Sequence, residues 1–257
     1  MKRGLTVLCV VLLVFSVLVS CRKKEETAEE PIKIGAIFAV TGPAAFLGAP
    51  EARTVEMLVE DINADGGIDG REVEVIIKDS QASAEKAISF AKQLIEEEQV
   101  VAIIGPTTSG ETMQIKELCN SAGVPLVSAA AAEAIVEPVA PYVFKTPQKD
   151  SYVVRWIYET MNEMEIDQIG VVAANTGFGN HGKDQLAKYA DEFGIEIVIS
   201  ESYDSAATDL TALMNKVNDA GVEAVVNWSI VSAQSIVVKN MRQLGMEQPL
   251  FQSHGFG

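Results

Sequence analysis

The residues best placed to do chemistry lie in Gly105-Pro106-Thr107-Thr108-Ser109-Gly110-Glu111-Thr112, between a β-branched run and a helical pattern. The glycine spacing imitates the nucleotide loop G-x-x-x-x-G-K-[ST], but Glu111 stands where that loop has lysine. A carboxylate there repels the phosphates that the lysine attracts, which excludes nucleotide binding. Two readings of the stretch stay open. Thr108 or Ser109 is an ordinary helix N-cap. Alternatively, Thr108, Ser109 and Gly110 open a helix whose free N–H groups take a single carboxylate.

Other chemistry is thinly represented. The two histidines, His181 and His254, come with no HxxxH or CxxC spacing, so neither a metal nor another cofactor is expected. No G-x-S-x-G elbow occurs, which speaks against a serine hydrolase. Gly177-Phe178-Gly179 lacks the third glycine of a dinucleotide fingerprint and reads as a turn. The chain carries 36 acidic and 20 basic residues, a net charge of -16, and such a surface repels nucleic acid. Of the three cysteines, Cys119 falls on a helical pattern and reads as a buried, inert thiol.

The amino terminus reads as a targeting segment. Met1-Lys2-Arg3 is followed by an apolar run over residues 5–19 and by Ser20-Cys21. Charge followed by about 15 apolar residues is a secretory signal, too short for the roughly 20 residues of a membrane span. The end of the run resembles a bacterial lipobox. That resemblance implies a signal peptide over residues 1–20, lipidation at Cys21, a polar tether over 21–31 and an extracytoplasmic protein held to the membrane by lipid.

The elements that position the candidate site alternate. Apolar, β-branched runs at 32–40, 73–77, 100–104 and 125–127 recur at 169–173, 195–199, 224–228 and 249–251. Helical spacing fills the gaps, as with Val55, Leu58, Val59 and Ile62, with Ile88, Ala91, Leu94 and Ile95, and with Leu210, Leu213, Met214 and Val217. Strands that are apolar throughout and joined by helices predict an α/β fold with doubly wound parallel sheets covered on both faces. The pattern runs twice, predicting lobes over 32–147 and 148–257. They meet at the extended segment 141–147, which has prolines at both ends.

Asp61-Ile62-Asn63-Ala64-Asp65-Gly66-Gly67-Ile68-Asp69-Gly70-Arg71 resembles a recurring stretch of the periplasmic substrate-binding proteins of branched-chain amino-acid-type ABC importers. Thr41-Gly42-Pro43, Ile103-Ile104-Gly105-Pro106, Gly123-Val124-Pro125 and Phe178-Gly179 extend the resemblance in order across residues 32–257. It implies a type I clamp in which two lobes close on a small ligand outside the strand C-termini. The clamp would deliver that ligand to a permease and ATPase. The family's ligand positions fall on Ser109, Ala130, Ala132, Leu47, Phe178, Ile230 and His254. Its aromatic hydroxyls and its acid for an ammonium group are missing at these positions, so the resemblance points to a more apolar carboxylic acid rather than to leucine, isoleucine or valine. Phe46 and Trp228 are further wall candidates. A ligand-sensing receptor domain and a Rossmann-like enzyme are the rival readings, and no acid, base or nucleophile converges to favour the enzyme. Because the pattern halts in a loop after a second-lobe strand, a C-terminally truncated clamp is expected, with an incomplete second lobe and an exposed apolar sheet face.

Overall fold

A computed structural model describes residues 30–256; the expected signal peptide and Cys21 lie outside the described residues. The first lobe runs β1 (Ile32–Phe38), α1 (Ala45–Ala64), β2 (Val73–Asp79), α2 (Ala84–Glu96), β3 (Ala102–Ile104), α3 (Ser109–Ala122) and β4 (Leu126–Ser128). A 3-10 turn (Glu133–Ile135) and β5 (Val143–Lys145) complete it. The second lobe runs α4 (Asp150–Glu163), β6 (Gln168–Ala174), α5 (Gly177–Phe193), β7 (Glu196–Tyr203), α6 (Thr211–Asp219), β8 (Ala224–Trp228), α7 (Gln234–Gln243) and β9 (Leu250–Gln252). Two sheets result, ordered β2-β1-β3-β4-β5 and β7-β6-β8-β9, and every strand pair is parallel. Among the described residues the chain passes between the sheets once, from β5 into α4.

Local chemistry sets the helix ends that matter to the site. Thr108 caps α3 in a capping box: its hydroxyl accepts from the Glu111 N–H, and the Glu111 carboxylate accepts from the Thr108 N–H. Gly123, at φ 69°, ends the same helix in the left-handed conformation that glycine adopts without steric cost. Thr176 caps α5 by accepting from the Gly179 N–H. The periodicity over 54–62 understates α1, which spans 20 residues. Pro43, Gly48 and Pro50 disguise its first half as a loop, yet Gly48 belongs there because a side-chain carbon would lie 2.3 Å from the Ala39 carbonyl oxygen. Pro50 costs the helix one N–H donor near its start.

The two sheets are covered unequally. One face of the second sheet packs Ile169, Val171, Val226 and Trp228 against α4 and α5. Its other face packs Val172, Ala174 and Val225 against Met214, Val217, Val237 and Met241 of α6 and α7. In the first sheet, Ile37, Ile103, Leu126 and Val143 face Ala87, Ala91, Leu94, Ile115 and Cys119 of α2 and α3. Among the described residues the opposite face has α1, whose Ala52 meets Ala36 and Phe38. Beside α1 an open cavity of about 330 Å³ lies over Ile104, Val127 and Ala129, and Met57 and Leu58 stay 54% and 48% exposed. Among the described residues, β3 and β4 are thus covered on one face and partly open on the other. A second open cavity, about 660 Å³, lies between α4 and β9, where Tyr152 and Trp156 face Phe251.

Candidate functional site

The strands of both sheets point their C-terminal ends toward a common cleft, the place where parallel sheets present loops and helix starts to a ligand. Loop positions there are held by hydrogen bonds rather than by apolar packing. Asp79, at the end of β2, accepts from the Thr41 N–H at 3.1 Å, the Thr41 hydroxyl at 2.6 Å and the Gln81 N–H at 3.1 Å. Against a burial effect that raises its pKa, these bonds from Thr41 and Gln81 hold the Asp79 carboxyl below the usual carboxylate range. The knot fixes the two loops that bring Pro43, Ala44, Ala82 and Ala84 to the cleft.

The cleft encloses about 240 Å³, below the roughly 300–1,000 Å³ typical of drug-sized ligand sites. From the first lobe, the start of α3 contributes Thr108, Ser109, Gly110 and Glu111; from the second come Thr176, Gly177, Phe178, Ser205, Ile230 and Val231. The starts of α3 and α5 meet tip to tip. A side-chain carbon on Gly177 would stand 2.7 Å from the Gly110 Cα, so the lobes touch through two glycine backbones. With Thr108 and Thr176 capping the third residue of each helix, the N–H groups of Ser109, Gly110, Gly177 and Phe178 are the helix-start donors that point their positive end into this region. Among the described lining residues there is no lysine, arginine or histidine.

Glu111 is the ionisable residue of the lining; one of its carboxylate oxygens, Oε2, is held in the helix cap, and the other, Oε1, is buried without a hydrogen-bond partner. Its Oε2 accepts from the Thr108 hydroxyl at 2.5 Å and the Thr108 N–H at 3.3 Å. Burial holds its carboxyl above the usual range, with the neighbouring Ser80 and Thr108 groups opposing and the Asp79 charge assisting. Beneath it, the Thr107 hydroxyl accepts from the Ala39 N–H and donates to Glu51 at 2.5 Å. Burial pushes Glu51 up to about 7, with the Thr107 bond opposing and the Glu111 charge assisting.

The residues singled out from sequence separate into two groups. Thr108, Ser109, Gly110, Phe178 and Ile230 come together around the cleft. Leu47, Ala130, Ala132 and His254 lie outside the cavity lining. Leu47 sits in the first turn of α1, and Ala130 and Ala132 are packed into the first-lobe core. The Ala132 N–H is donated to the Ser109 hydroxyl at 3.2 Å instead of to open space. His254 stands edge-on to Phe178 and Trp228, with ring centroids 5.2 and 5.6 Å away, behind the cleft wall. Burial, with the Lys145 charge, pushes its imidazole down to about 4. Trp228 is fully buried in the second-lobe core and Phe46 is half exposed on α1, so neither is a wall. Sequence reading missed Ala82, Ala84, Thr176, Gly177, Ser205 and Val231. Their common signal is position: each follows a strand, at the C-terminal end of a parallel sheet.

Known proteins share this arrangement. The periplasmic binding protein family model matches residues 31–257. The Leu/Ile/Val-binding protein homolog 7 of Brucella abortus is 25% identical over 240 residues, which is 90% of this chain and 60% of that protein. An extracellular ligand-binding receptor from Rhodopseudomonas palustris HaA2 superposes with a TM-score of 0.81 at 25% identity, covering 88% of this chain and 62% of its own. The Streptococcus pneumoniae branched-chain amino acid transporter substrate-binding protein, solved with isoleucine, gives 0.77 at 28% identity, covering 88% and 65%. A Rhodopseudomonas palustris solute-binding protein, solved with 4-hydroxybenzoate, gives 0.76 at 21% identity, covering 88% and 62%, and shares the fold. The chain spans about 60% of the length of the curated relatives it matches. Two parallel sheets facing one small cleft, and a family match over nearly all the described residues, lead to one conclusion: the chain belongs to the periplasmic binding protein family.

Proposed function

We propose that the protein captures a small monocarboxylic acid with an apolar body between its lobes and presents it to an ABC permease. The observation that carries this is the lining of the 240 Å³ cleft: two helix starts, apolar flanks and no cationic side chain among the described residues. Neutral N–H donors at helix starts suit one carboxylate. The Ser109 hydroxyl accepts from Ala132 and keeps its own proton to donate. Phe178, Ile230 and Val231 then face the ligand body. The lining carboxylate, Glu111, is a poor partner for an α-ammonium group, because its Oε2 is held in the α3 cap and burial keeps its carboxyl above the usual range, and an unpaired buried cation is costly.

This reading includes lipidation at Cys21, residence outside the cytoplasm and ligand release to membrane partners, without covalent chemistry. It assigns residues 32–147 and 148–257 to the two jaws. Calorimetry with 4-hydroxybenzoate, 4-methylpentanoate and L-isoleucine tests it. Micromolar binding of either acid with at least tenfold weaker isoleucine binding is expected. Tighter isoleucine binding would overturn the choice of ligand class. Loss of acid binding in Ser109→Ala checks the anion site.

A further inference from the structure

Beside the single described crossing between the lobes, in the loop that follows β4, two consecutive residues turn their backbone N–H groups in different directions. Ala132 donates to the Ser109 hydroxyl at 3.2 Å. Glu133 donates to Asp150 Oδ2 at 3.0 Å, and Ser151 returns a bond from its N–H to Glu133 Oε2, also at 3.0 Å. Ser109 begins α3 of the first lobe; Asp150 and Ser151 begin α4, whose Val154, Ile157, Tyr158 and Met161 are second-lobe core. The bonds are buried: Ser109, Glu133, Asp150 and Ser151 are all shielded from solvent. Ala131, one residue earlier, packs against the second-lobe core while Ala130 and Ala132 pack into the first. Lys145 secures the same loop, donating to the Ala131 and Gln148 carbonyls on either side of the crossing.

From this geometry we infer that Glu133 is a positioning residue, a clasp that couples the Ser109 hydroxyl in the cleft to the angle between the lobes. A rotation of α4 about the crossing pulls on Glu133, and the adjoining peptide carries that displacement to Ala132 and its bond with Ser109. Buried hydrogen-bonded groups resist partial opening because each lost partner leaves a desolvated polar atom, so the set of bonds is held whole or released whole. Coupling of this kind is reciprocal: what loosens one end loosens the other. The inference gives the ligand site proposed above its mechanical connection, and rests on it only for the meaning of Ser109.

The test needs no ligand. Amide hydrogen exchange is followed by NMR on the full chain for wild type, Ser109→Ala, Glu133→Ala and Glu133→Gln. Ser109→Ala touches neither Asp150 nor Ser151, yet exchange at the Ser151 amide should rise about fivefold or more. Glu133→Ala should raise exchange at Ala132 and Ser151 together, with Val171–Ala173 unchanged as the control for folding. Glu133→Gln keeps a carbonyl acceptor for Ser151 and should stay near wild type. An unmoved Ser151 amide in Ser109→Ala overturns the coupling, and a Glu133→Gln that behaves like Glu133→Ala overturns the acceptor role. If Glu133→Ala does not fold, wild type decides: Ala132 and Ser151 must respond alike to mild denaturant, and independent openings sink the clasp. Failure of acid binding in calorimetry leaves these readouts standing, so the two ideas fail separately.

Discussion

The two lobes use the same strand–helix grammar to different ends. The second sheet has helices packed on both faces, with an open cavity left between α4 and β9, and its largest fully buried side chain, Trp228, meets α5 so closely that Gly182 has no room for a side-chain carbon. The first sheet has two helices on one face, and on the other, among the described residues, α1 leans chiefly over β1 and β2 and reaches Ile104 of β3. What the first lobe lacks in apolar cover it replaces with polar fastening: the Thr41–Asp79–Gln81 knot, the Glu51–Thr107–Ala39 chain and the capping box of α3. The lesson is that burial sets where stability resides, whereas directional bonds set where loops stand.

The largest break in that comparison should come from Trp228→Ala, which removes the second-lobe centrepiece. Large-to-small changes of this kind cost about 3–5 kcal/mol, read as a lower denaturant midpoint. A loss under about 1 kcal/mol would show that the second core is less decisive than its burial indicates.

Acid–base behaviour should separate the lobes next. Burial raises Asp150 to about 7 from 3.8, so the folded protein binds the extra proton between these values, and stability falls as pH rises through that window. Burial lowers His254 to about 4 from 6.5, so the unfolded chain binds the extra proton there, and stability rises with pH between about 4 and 6.5. The two groups stand 3.6 Å apart and their slopes oppose. Glu51 in the first lobe, raised from 4.5 to about 7, falls with pH and has no such opponent. Melting temperatures between pH 4 and 7 should therefore decline less steeply in Glu51→Gln than in wild type. Asp150→Asn should flatten or invert the profile, and an unchanged profile in both variants would refute this assignment.

A smaller effect on stability, with a larger one on closure, belongs to Gly177→Ala. Its added carbon meets the Gly110 backbone, so the lobes must part slightly. X-ray scattering should show a larger radius of gyration while unfolding changes by within about 0.5 kcal/mol, as for a substitution outside a core. Unchanged scattering would mean that the helix tips do not meet in solution. Least of all should follow Leu58→Ser on the half-exposed side of α1, again within about 0.5 kcal/mol. A destabilisation of 2 kcal/mol there would reveal hidden cover on the first sheet.

Much of this was legible from residue patterns because burial writes itself as periodicity. All eight of the β-branched runs became strands, and of the two N-cap candidates Thr108 is the one that caps α3. Positions defined by three-dimensional closure were not legible in the same way. His254 and Ala132 lie in loops near the cleft but outside its lining: His254 meets Phe178 edge-on behind the cleft wall, and the Ala132 N–H is consumed by a bond to Ser109. Gly177 looked like a turn residue, and its role depends on Gly110, which lies in the other lobe. Coverage of a sheet is likewise a property of neighbours: a strand such as β3 reads the same whether one face or two are packed.

Cys119 offers a clock for this uneven molecule. It lies fully buried between α3 and the covered face of the first sheet, and burial pushes its thiol up to about 12. A closed thiol of that kind presents almost no thiolate to an alkylating reagent at neutral pH. Peptide-mapped alkylation at Cys119 would therefore count the moments when α3 lifts from its sheet, timing the first lobe's breathing from a native atom.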